Sequence, residues 1–358
     1  MRINGKKMLS FLLIVASIAA VFLIAFSNRD LENAWAAMGS LDLSSLLCVL
    51  LCWAVYTFFD GVNYWMYLRR QGFRLSIFRA VHIALIGFYY SNITPSAAGG
   101  QPMQVNSMRR AGIPVGYGTM AVTVRFITNQ FMISMISLVL FLGNRDFVYE
   151  QLGAAMWWVR FGWLLNFGSV PLVLLAAFRR NWIQWLLERL IGWLARIHII
   201  KNRDMALTKA METLDTYHTA LHDLIRQPGQ ILLQFASSTV SLLGILGSIV
   251  FVYRAFGQSG TPWYQILTIS SLLYVSASAT PLPGASGAQE GGFLLYYKHI
   301  FDEKIIGLAL LVWRFFTFYL FLIVGIFTVI VEKMLTSHTP GKDSGHSPSE
   351  EPNDSVKT

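Results

Sequence analysis

Long apolar segments alternate with short polar ones along most of this chain. A helix needs about 20 apolar residues to cross the hydrocarbon core of a bilayer. Six segments have close to that length, and they cover residues 8–26, 44–68, 116–142, 157–178, 229–256 and 305–334. The pattern predicts an all-α integral membrane protein with about six full transmembrane helices.

Two further apolar segments are shorter and interrupted. Residues 78–93 and 264–279 run directly into stretches rich in Gly, Pro and Ser, at 91–102 and 276–292. Short, interrupted apolar segments at corresponding positions of two halves are typical of helices that break within the membrane beside a transport site. We therefore predict two re-entrant hairpins in addition to the six spans.

The residues around the two breaks recur in the same order, which predicts an internal repeat. Repeat one covers about 44–142 and repeat two about 229–334. The first series is Thr94, Pro95, Gly100, Gln101 and Arg125, and the second is Thr280, Pro281, Gly287, Gln289 and Arg314. In the predicted topology the repeats have opposite orientations in the membrane, and inverted repeats of this kind meet near the midplane.

The composition supports a membrane protein and indicates its orientation. Only 13% of the residues are charged, whereas soluble domains carry about 25%. The net charge of +9 does not indicate nucleic-acid binding, because the basic residues flank apolar segments instead of forming one stripe. With both termini in the cytoplasm, most of the 28 Lys and Arg residues lie on the cytoplasmic side, as the positive-inside rule requires.

The polar segments outside the predicted spans carry little recognisable chemistry. Residues 179–228 begin with an amphipathic, Trp-rich stretch that we expect to lie on the cytoplasmic membrane surface. His218 and His222 lie four residues apart within it, without the glutamate of a zinc motif, so a solvated helical face is favoured over a metal site. The membrane domain is predicted to cover 1–335 and a disordered cytoplasmic tail 336–358, with no metal and no cofactor.

Arg125 and Arg314 lie about ten residues inside predicted spans. An arginine there costs about 2.5–3.5 kcal/mol on insertion scales, so it must face protein or water and have a partner. One reading is a structural ion pair with Glu290 or Asp60, although these two acidic residues could instead meet a cationic headgroup. The other is phosphate binding, since a guanidinium can hold a phosphate by two parallel hydrogen bonds. The sequence leaves both open.

The helices that follow the breaks could bind an anion. Pro102 suits the first turn of a helix beginning near Gly100, and Ser286 with Gln289 matches a capping box. Free N–H groups at helix starts favour anions, although Gly and Pro would serve a plain turn equally well. With the two arginines, these starts predict a site for a phosphate-bearing group. No ATP-binding loop, nucleophile elbow or dinucleotide motif is present, and no catalytic residue is assigned.

Residues 93–113, ITPSAAGGQPMQVNSMRRAGI, and 279–292, ATPLPGASGAQEGG, resemble the paired signatures of the lysylphosphatidylglycerol synthase transmembrane-region family. The similarity covers roughly residues 8–335. That family includes the flippase half of the bacterial multiple peptide resistance factor. The motif residues that the resemblance implies are Pro95, Gly99, Gly100, Arg109, Arg110, Pro283, Gly284, Gly287 and Glu290.

The resemblance implies a protein of the bacterial cell membrane that moves or handles phosphatidylglycerol or lysyl-phosphatidylglycerol, with consequences for resistance to cationic antimicrobial peptides. A membrane phospholipid is then the expected partner, and no nucleic acid is expected for this chain alone. Full-length family enzymes add a soluble synthase domain, and none is visible before Thr358. Lysyl transfer from lysyl-tRNA, alone or with a separate synthase chain, stays open. Transport of another phosphate-bearing lipid or solute stays open as well, and so does self-association of the chain.

Overall fold

The computed structural model describes Gly39 and residues 41–196, 203–278 and 280–337. Within these ranges the regular structure is helical throughout. The predicted first span, 8–26, lies outside the described residues, as does the tail from 338 onward. The helices are α1 Leu43–Arg70, α2 Ile77–Ile93, α3 Gly100–Arg110, α4 Val115–Gly143, α5 Arg145–Leu152, α6 Met156–Phe178, α7 Arg180–Arg196, α8 Arg203–Ile225, α9 Pro228–Ala255, α10 Trp263–Ala277, α11 Ala288–Tyr296, α12 Ile306–Arg314 and α13 Leu320–Ser337.

Helical stretches long and apolar enough to cross a membrane coincide with five of the six predicted spans. Among the described residues these stretches are Leu43–Arg70, Val115–Gly143, Arg145–Leu175, Pro228–Ala255 and Ile306–Met334. The prediction of an all-α membrane protein is confirmed. The third stretch is longer than predicted, because α5 and a 3-10 turn at Gly153–Ala155 precede α6.

Each interrupted segment folds as two helices joined by a short turn. A 3-10 turn at Pro95–Ala97 joins α2 to α3, and one at Pro283–Ala285 joins α10 to α11. Helix α3 begins at Gly100, as predicted. A Cβ atom at Gly100 would lie 2.0 Å from the Ser91 hydroxyl oxygen, so this glycine lets α2 and α3 pack closely. Whether the hairpins re-enter the membrane stays a prediction.

Helices α1 and α9 pack side by side along their lengths in opposite directions. The Asp42 backbone N–H, just before α1, donates to the carbonyl of Ala255 at the end of α9 (3.1 Å). A Cβ atom at Gly244 would lie 2.9 Å from the carbonyl oxygen of Cys52. Small residues at such positions let helix backbones approach each other in a membrane. This pair makes the most extensive helix–helix contact in the described part of the chain.

The polar segment after α6 contains two helices, and the second packs against the membrane domain. Helix α7 exposes the tryptophans that we predicted to lie on the membrane surface: Trp182, Trp185 and Trp193. Helix α8 packs against α4, burying Leu214, Tyr217, Ala220, Leu221 and Leu224. His218 is therefore only partly solvated. Its partial burial and, second, the nearby Arg180 lower the pKa of His218 below its usual range.

The last span is not a single regular helix. A π-helical turn at Phe315–Tyr319 separates α12 from α13, immediately after Arg314. The hydropathy pattern gave no sign of this turn, because a π turn keeps the residues apolar. Such turns often mark functional sites. Near the end of α13, Glu332 accepts a hydrogen bond from Ser107 on α3 (3.0 Å) and lies 2.9 Å from an Arg79 nitrogen on α2.

Candidate binding cavity

The two breaks meet, and a cavity lies between them. The backbone N–H of Ser96 in the first break donates to the carbonyl of Pro281 in the second (2.9 Å). The adjoining cavity has a volume of about 470 Å³, and its wall combines aromatic and aliphatic side chains with hydroxyl and amide groups. The polar members include Ser91, Asn92, Gln130, Ser270, Thr280 and Gln289. Among the described residues that line it, Arg314 alone carries a formal charge.

Arg314 forms an ion pair with the buried carboxylate of Glu290. Its Nε donates to Oε1 of Glu290 (2.7 Å), and Nη2 donates to the same oxygen. The guanidinium also donates to the carbonyl of Gly284, at 3.4 Å from Nη1 and 3.3 Å from Nη2. Glu290 is not among the lining residues. The ion pair therefore presents its positive end to the cavity.

The local fold at the second break explains why Glu290 points away from the cavity. The backbone N–H of Gly287, at the start of α11, donates to Oε2 of Glu290 (2.6 Å). The predicted capping box of Ser286 with Gln289 is therefore wrong, because the helix begins one residue later than that motif required. The Ser286 hydroxyl donates instead to the carbonyl of Pro283 (2.8 Å).

This shift leaves Gln289 to face the cavity. Its Oε1 is buried and has no hydrogen-bond partner in the described part of the chain. Buried polar atoms are nearly always paired, so an unpaired one in a cavity wall marks a position for water or a ligand. Gln289 and Arg314 thus place a polar group and a positive charge on one side of the cavity.

Arg125 forms the second buried pair, outside the cavity wall. Its Nε and Nη2 both lie 2.6 Å from Oδ1 of Asp60, whose relative exposure is 1%. The guanidinium carbon lies 5.8 Å from the ring centre of Phe88, a residue that does line the cavity. Both arginines therefore have the acidic partner that the ion-pair reading required, and only Arg314 reaches the cavity.

Other predicted site residues lie outside the cavity. Gln101 is exposed at the start of α3, and Arg109 and Arg110 are exposed at its end. Arg109 donates to the Asn106 side chain (3.2 Å), and an Arg110 nitrogen lies 4.0 Å from Glu332. The structure does not bring these three side chains together with Arg314.

The residues of the hairpin motif shape the breaks. In the first break, the Thr94 hydroxyl accepts from the N–H of Gly99 (2.9 Å) and donates to the carbonyl of Tyr90 (2.6 Å), which closes the turn around Pro95. In the second, Gly284 has φ +59°, and a Cβ there would lie 2.1 Å from the Phe318 ring. Three of the second-break motif residues also line the cavity, namely Thr280, Pro281 and Gly284.

Several cavity residues on other helices were not predicted from the sequence. Gln130 on α4 lines the cavity and donates to Asn166 on α6, which in turn donates to Ser278 (2.7 Å). Tyr56 on α1 lines it too, with its ring stacked on Phe88 at 4.9 Å. An amide inside an apolar span was an available signal for Gln130 and Asn166. No comparable signal distinguishes Tyr56 from an interfacial tyrosine.

Comparison with known proteins agrees with this architecture. Residues 8–325 match the family described as the lysylphosphatidylglycerol synthase TM region. A UPF0104 membrane protein of Archaeoglobus fulgidus is 23% identical over 320 residues, which cover 87% of this chain and 93% of that protein. The family match includes both breaks and all the described membrane-crossing helices except the last part of Ile306–Met334. The chain belongs to the lysylphosphatidylglycerol synthase transmembrane-region family and is a multi-pass membrane protein.

Proposed function

We propose that the cavity receives the phosphate-bearing headgroup of a membrane phospholipid and lets it cross the bilayer while the acyl chains stay in lipid. The observation that carries this proposal is the orientation of the Arg314–Glu290 pair, which turns its positive end to the cavity. The family membership supports phosphatidylglycerol or lysyl-phosphatidylglycerol as the cargo. We place the protein in a cell membrane with both termini in the cytoplasm, where such transport would protect against cationic antimicrobial peptides.

The hydrogen-bonding capacity of Arg314 supports a phosphate ligand. A guanidinium has five N–H donors, and the hydrogen bonds to Glu290 and Gly284 use four of them. One N–H on Nη1 is left for a ligand. Hydrogen bonds between arginine and phosphate are among the stronger ones in proteins, and a site away from bulk water strengthens them further.

The size and lining of the cavity suit a headgroup. Small-molecule pockets in proteins have volumes of about 300–1,000 Å³, and this cavity lies within that range. Its hydroxyl and amide groups can bind glycerol hydroxyls. Glu290 and Asp60, which the sequence leaves open as partners of a cationic headgroup, do not line the cavity. An ammonium group would instead meet aromatic faces such as those of Phe126 and Trp313.

Headgroup movement in proteoliposomes tests the proposal. The vesicles carry phosphatidylglycerol or lysyl-phosphatidylglycerol labelled in one leaflet, and the loss of label from that leaflet is followed with time. We expect movement with the wild-type protein and several-fold slower movement with Gln289→Glu, because the new carboxylate repels the phosphate. Gln101→Glu makes the same change at the corresponding, exposed position of the first break, and it should keep the wild-type rate. No movement from folded wild-type protein, or equal rates for all three proteins, would contradict the proposal.

The family description favours one alternative, in which the chain is the membrane part of a lysyl-phosphatidylglycerol synthase. It predicts labelled lysyl lipid when lysyl-tRNA and phosphatidylglycerol are supplied, either with this chain alone or with an added synthase chain. Product formation without headgroup movement would replace translocation by synthesis. A panel of lipids and phosphate-bearing solutes, tested by thermal stabilisation of the purified protein, separates the proposed cargo from other ones.

A further inference from the structure

A seam of buried polar residues begins beside the cavity and continues between α1 and α9. Three hydrogen bonds cross from α9 to carbonyls of α1, each one turn further along. Ser241 donates to Tyr56 (2.9 Å), Ser237 to Phe59 (3.1 Å) and the Gln234 amide to Asn63 (2.8 Å). The residue numbers rise along α1 as they fall along α9, in steps of three or four. The same register places Gln230 opposite Tyr67.

The seam connects the cavity to one end of the helix pair. Tyr56 lines the cavity. At the other end, Tyr67 lies one turn before the exposed pair Arg69 and Arg70, where α1 ends, and Gln230 lies in the first turn of α9. The polar groups therefore form a line from the cavity wall towards one membrane face, through an otherwise apolar helix pair.

Several polar atoms along this line are buried and have no hydrogen-bond partner among the described residues. They are Oδ2 of Asp60, Oδ1 of Asn63, Oε1 of Gln234, both side-chain polar atoms of Gln230 and the hydroxyl of Tyr67. These five residues have relative exposures of at most 2%. Buried polar groups in folded proteins are paired with protein or with ordered water, so the seam requires an occupant.

The chemistry of the unpaired atoms identifies this occupant as water. The set includes donors, on the Gln230 amide and the Tyr67 hydroxyl, together with acceptors, on Asp60, Asn63 and Gln234. Water both donates and accepts, and it typically makes about three hydrogen bonds at buried sites. A metal ion would satisfy only the oxygens, and the guanidinium of Arg125, bonded to Asp60, would repel it.

Asp60 is the carboxylate on this line, two turns before Tyr67 and one turn after Tyr56. Arg125 faces it from α4, and Tyr274 interacts with it from α10. Its own helix contributes Tyr56 and Tyr64. Oδ1 is bound by Arg125, whereas Oδ2 has no protein partner in the described chain. The unpaired oxygen is the one that a proton can reach.

We propose that water fills this seam and carries protons from the membrane face at Tyr67 and Gln230 to Oδ2 of Asp60. A hydronium ion at that face gives its proton to the first water, each water passes one on, and the last gives one to the carboxylate. Asp60 becomes a neutral acid, Arg125 keeps its charge and no electron is transferred. The seam is therefore a proton-access path that ends beside the cavity wall.

Proton uptake has a consequence for the cavity. A neutral Asp60 leaves the charge of Arg125 uncompensated behind Phe88, which makes the cavity more attractive to an anion. This consequence rests on the proposed function, whereas proton uptake by Asp60 does not. The tests below measure no lipid movement, so their failure and the failure of lipid translocation are distinguishable.

Radiolytic hydroxyl labelling of the wild-type protein tests for water in the seam, because radicals form from bound water and modify the nearest side chains. Tyr67 and Phe293 are both fully buried in hydrophobic clusters, but only Tyr67 places an unpaired polar group on the seam. We expect several-fold faster labelling of Tyr67. Equal labelling of the two rings would show that the seam is dry and would overturn the proposal.

Infrared spectroscopy after a pH drop tests for proton transfer. We expect a protonated-carboxyl band that is absent in Asp60→Asn, and that rises several-fold more slowly in the double variant Gln230→Leu/Gln234→Leu. Gln101→Leu, on the exposed start of α3, is the control and should keep the wild-type rate. A band that persists in Asp60→Asn, no band at all, or an unchanged rate in the double variant would overturn the proposal.

Discussion

Arg314 and Glu290 form a buried ion pair in which only the arginine lines the cavity. The Arg314 Nε lies 2.7 Å from Oε1 of Glu290, and the Gly287 N–H holds the other carboxylate oxygen. Because Arg314 on α12 holds one oxygen and the start of α11 holds the other, the carboxylate cannot turn towards the cavity without breaking both contacts. This arrangement gives the cavity its positive character, although the pair as a whole is neutral.

Replacing Glu290 tests the strength of this arrangement. Breaking a buried ion pair by removing one partner costs about 3–5 kcal/mol, because the other charge stays buried and unpaired. We expect Glu290→Ala to lower the thermal unfolding midpoint in detergent markedly, and Glu290→Gln to lower it less, since the amide oxygen can still accept. Glu212→Gln, on the exposed side of α8, is the control. Equal midpoints for wild type and Glu290→Ala would refute the buried pair.

The Asp60–Arg125 pair should behave as a coupled unit. Either single change, Asp60→Leu or Arg125→Met, is expected to destabilise the protein by about 3–5 kcal/mol, whereas the double replacement should cost much less. The measurement is the unfolding free energy of the two single variants and the double variant. Additive effects would show that the two side chains are independent, contrary to their 2.6 Å separation.

Gly100 should not tolerate a side chain, because α2 and α3 approach each other there. In Gly100→Ala the new Cβ meets the Ser91 hydroxyl oxygen at 2.0 Å and the Gly87 carbonyl oxygen at 2.7 Å. Overpacking of this kind costs about 1–3 kcal/mol. The control is Gly143→Ala at the end of α4, where a Cβ would meet nothing within 4 Å. A lower unfolding midpoint in Gly100→Ala alone is expected, and unchanged stability would contradict the close approach.

His218 should give the protein a weak pH dependence. Its pKa is lowered in the folded state, so the unfolded state takes up the proton first as the pH falls. The neutral His218 side chain therefore stabilises the folded state above the unfolded-state pKa of about 6.5, and this stabilisation is lost as the pH falls through the lower pKa of the folded state. Unfolding midpoints measured from neutral to mildly acidic pH should fall less steeply in His218→Gln than in the wild type. The control is His222→Gln, one turn away, and identical slopes in wild type and His218→Gln would contradict the burial of His218.

The membrane spans and the breaks could be predicted because hydropathy and turn residues are local signals. The length of an apolar segment alone locates a span such as α9. The start of α3 at Gly100 follows from the glycine pair and Pro102. Both are properties of neighbouring residues, and they do not depend on what the helices pack against.

The partners of the two arginines could be predicted only as a set of candidates. Asp60 and Arg125 lie on different helices, so their contact depends on how α1 packs against α4. Glu290 caps α11, which begins one residue later than the predicted capping box required, and its other oxygen binds Arg314 on α12. The sequence order of the two repeats also could not show that the first arginine lies behind the cavity wall while the second faces the cavity.

The buried face of α8, like the π-helical turn after Arg314, was not predicted from the sequence. Its apolar residues are spaced for one helical face, yet they lie in a segment whose many charged residues indicate a cytoplasmic loop. Whether α8 packs on α4 depends on where the two helices lie in three dimensions, which hydropathy does not give. The exposure of Arg109 and Arg110 could not be predicted for a similar reason, because the direction of α3 decides whether these motif residues meet the cavity.

The most direct test of the central claim compares the two buried arginines in the vesicle assay for headgroup movement. Lysine keeps the positive charge but lacks the planar fork with which Arg314 binds Glu290 and Gly284 and still has one N–H free for a phosphate. Arg314→Lys should slow the movement of phosphatidylglycerol several-fold, because the changed group lines the cavity. Arg125→Lys, which alters a pair behind the wall, should keep a rate close to wild type. Equal slowing in both folded variants, or no slowing in Arg314→Lys, would contradict the assignment of the cavity as the headgroup site.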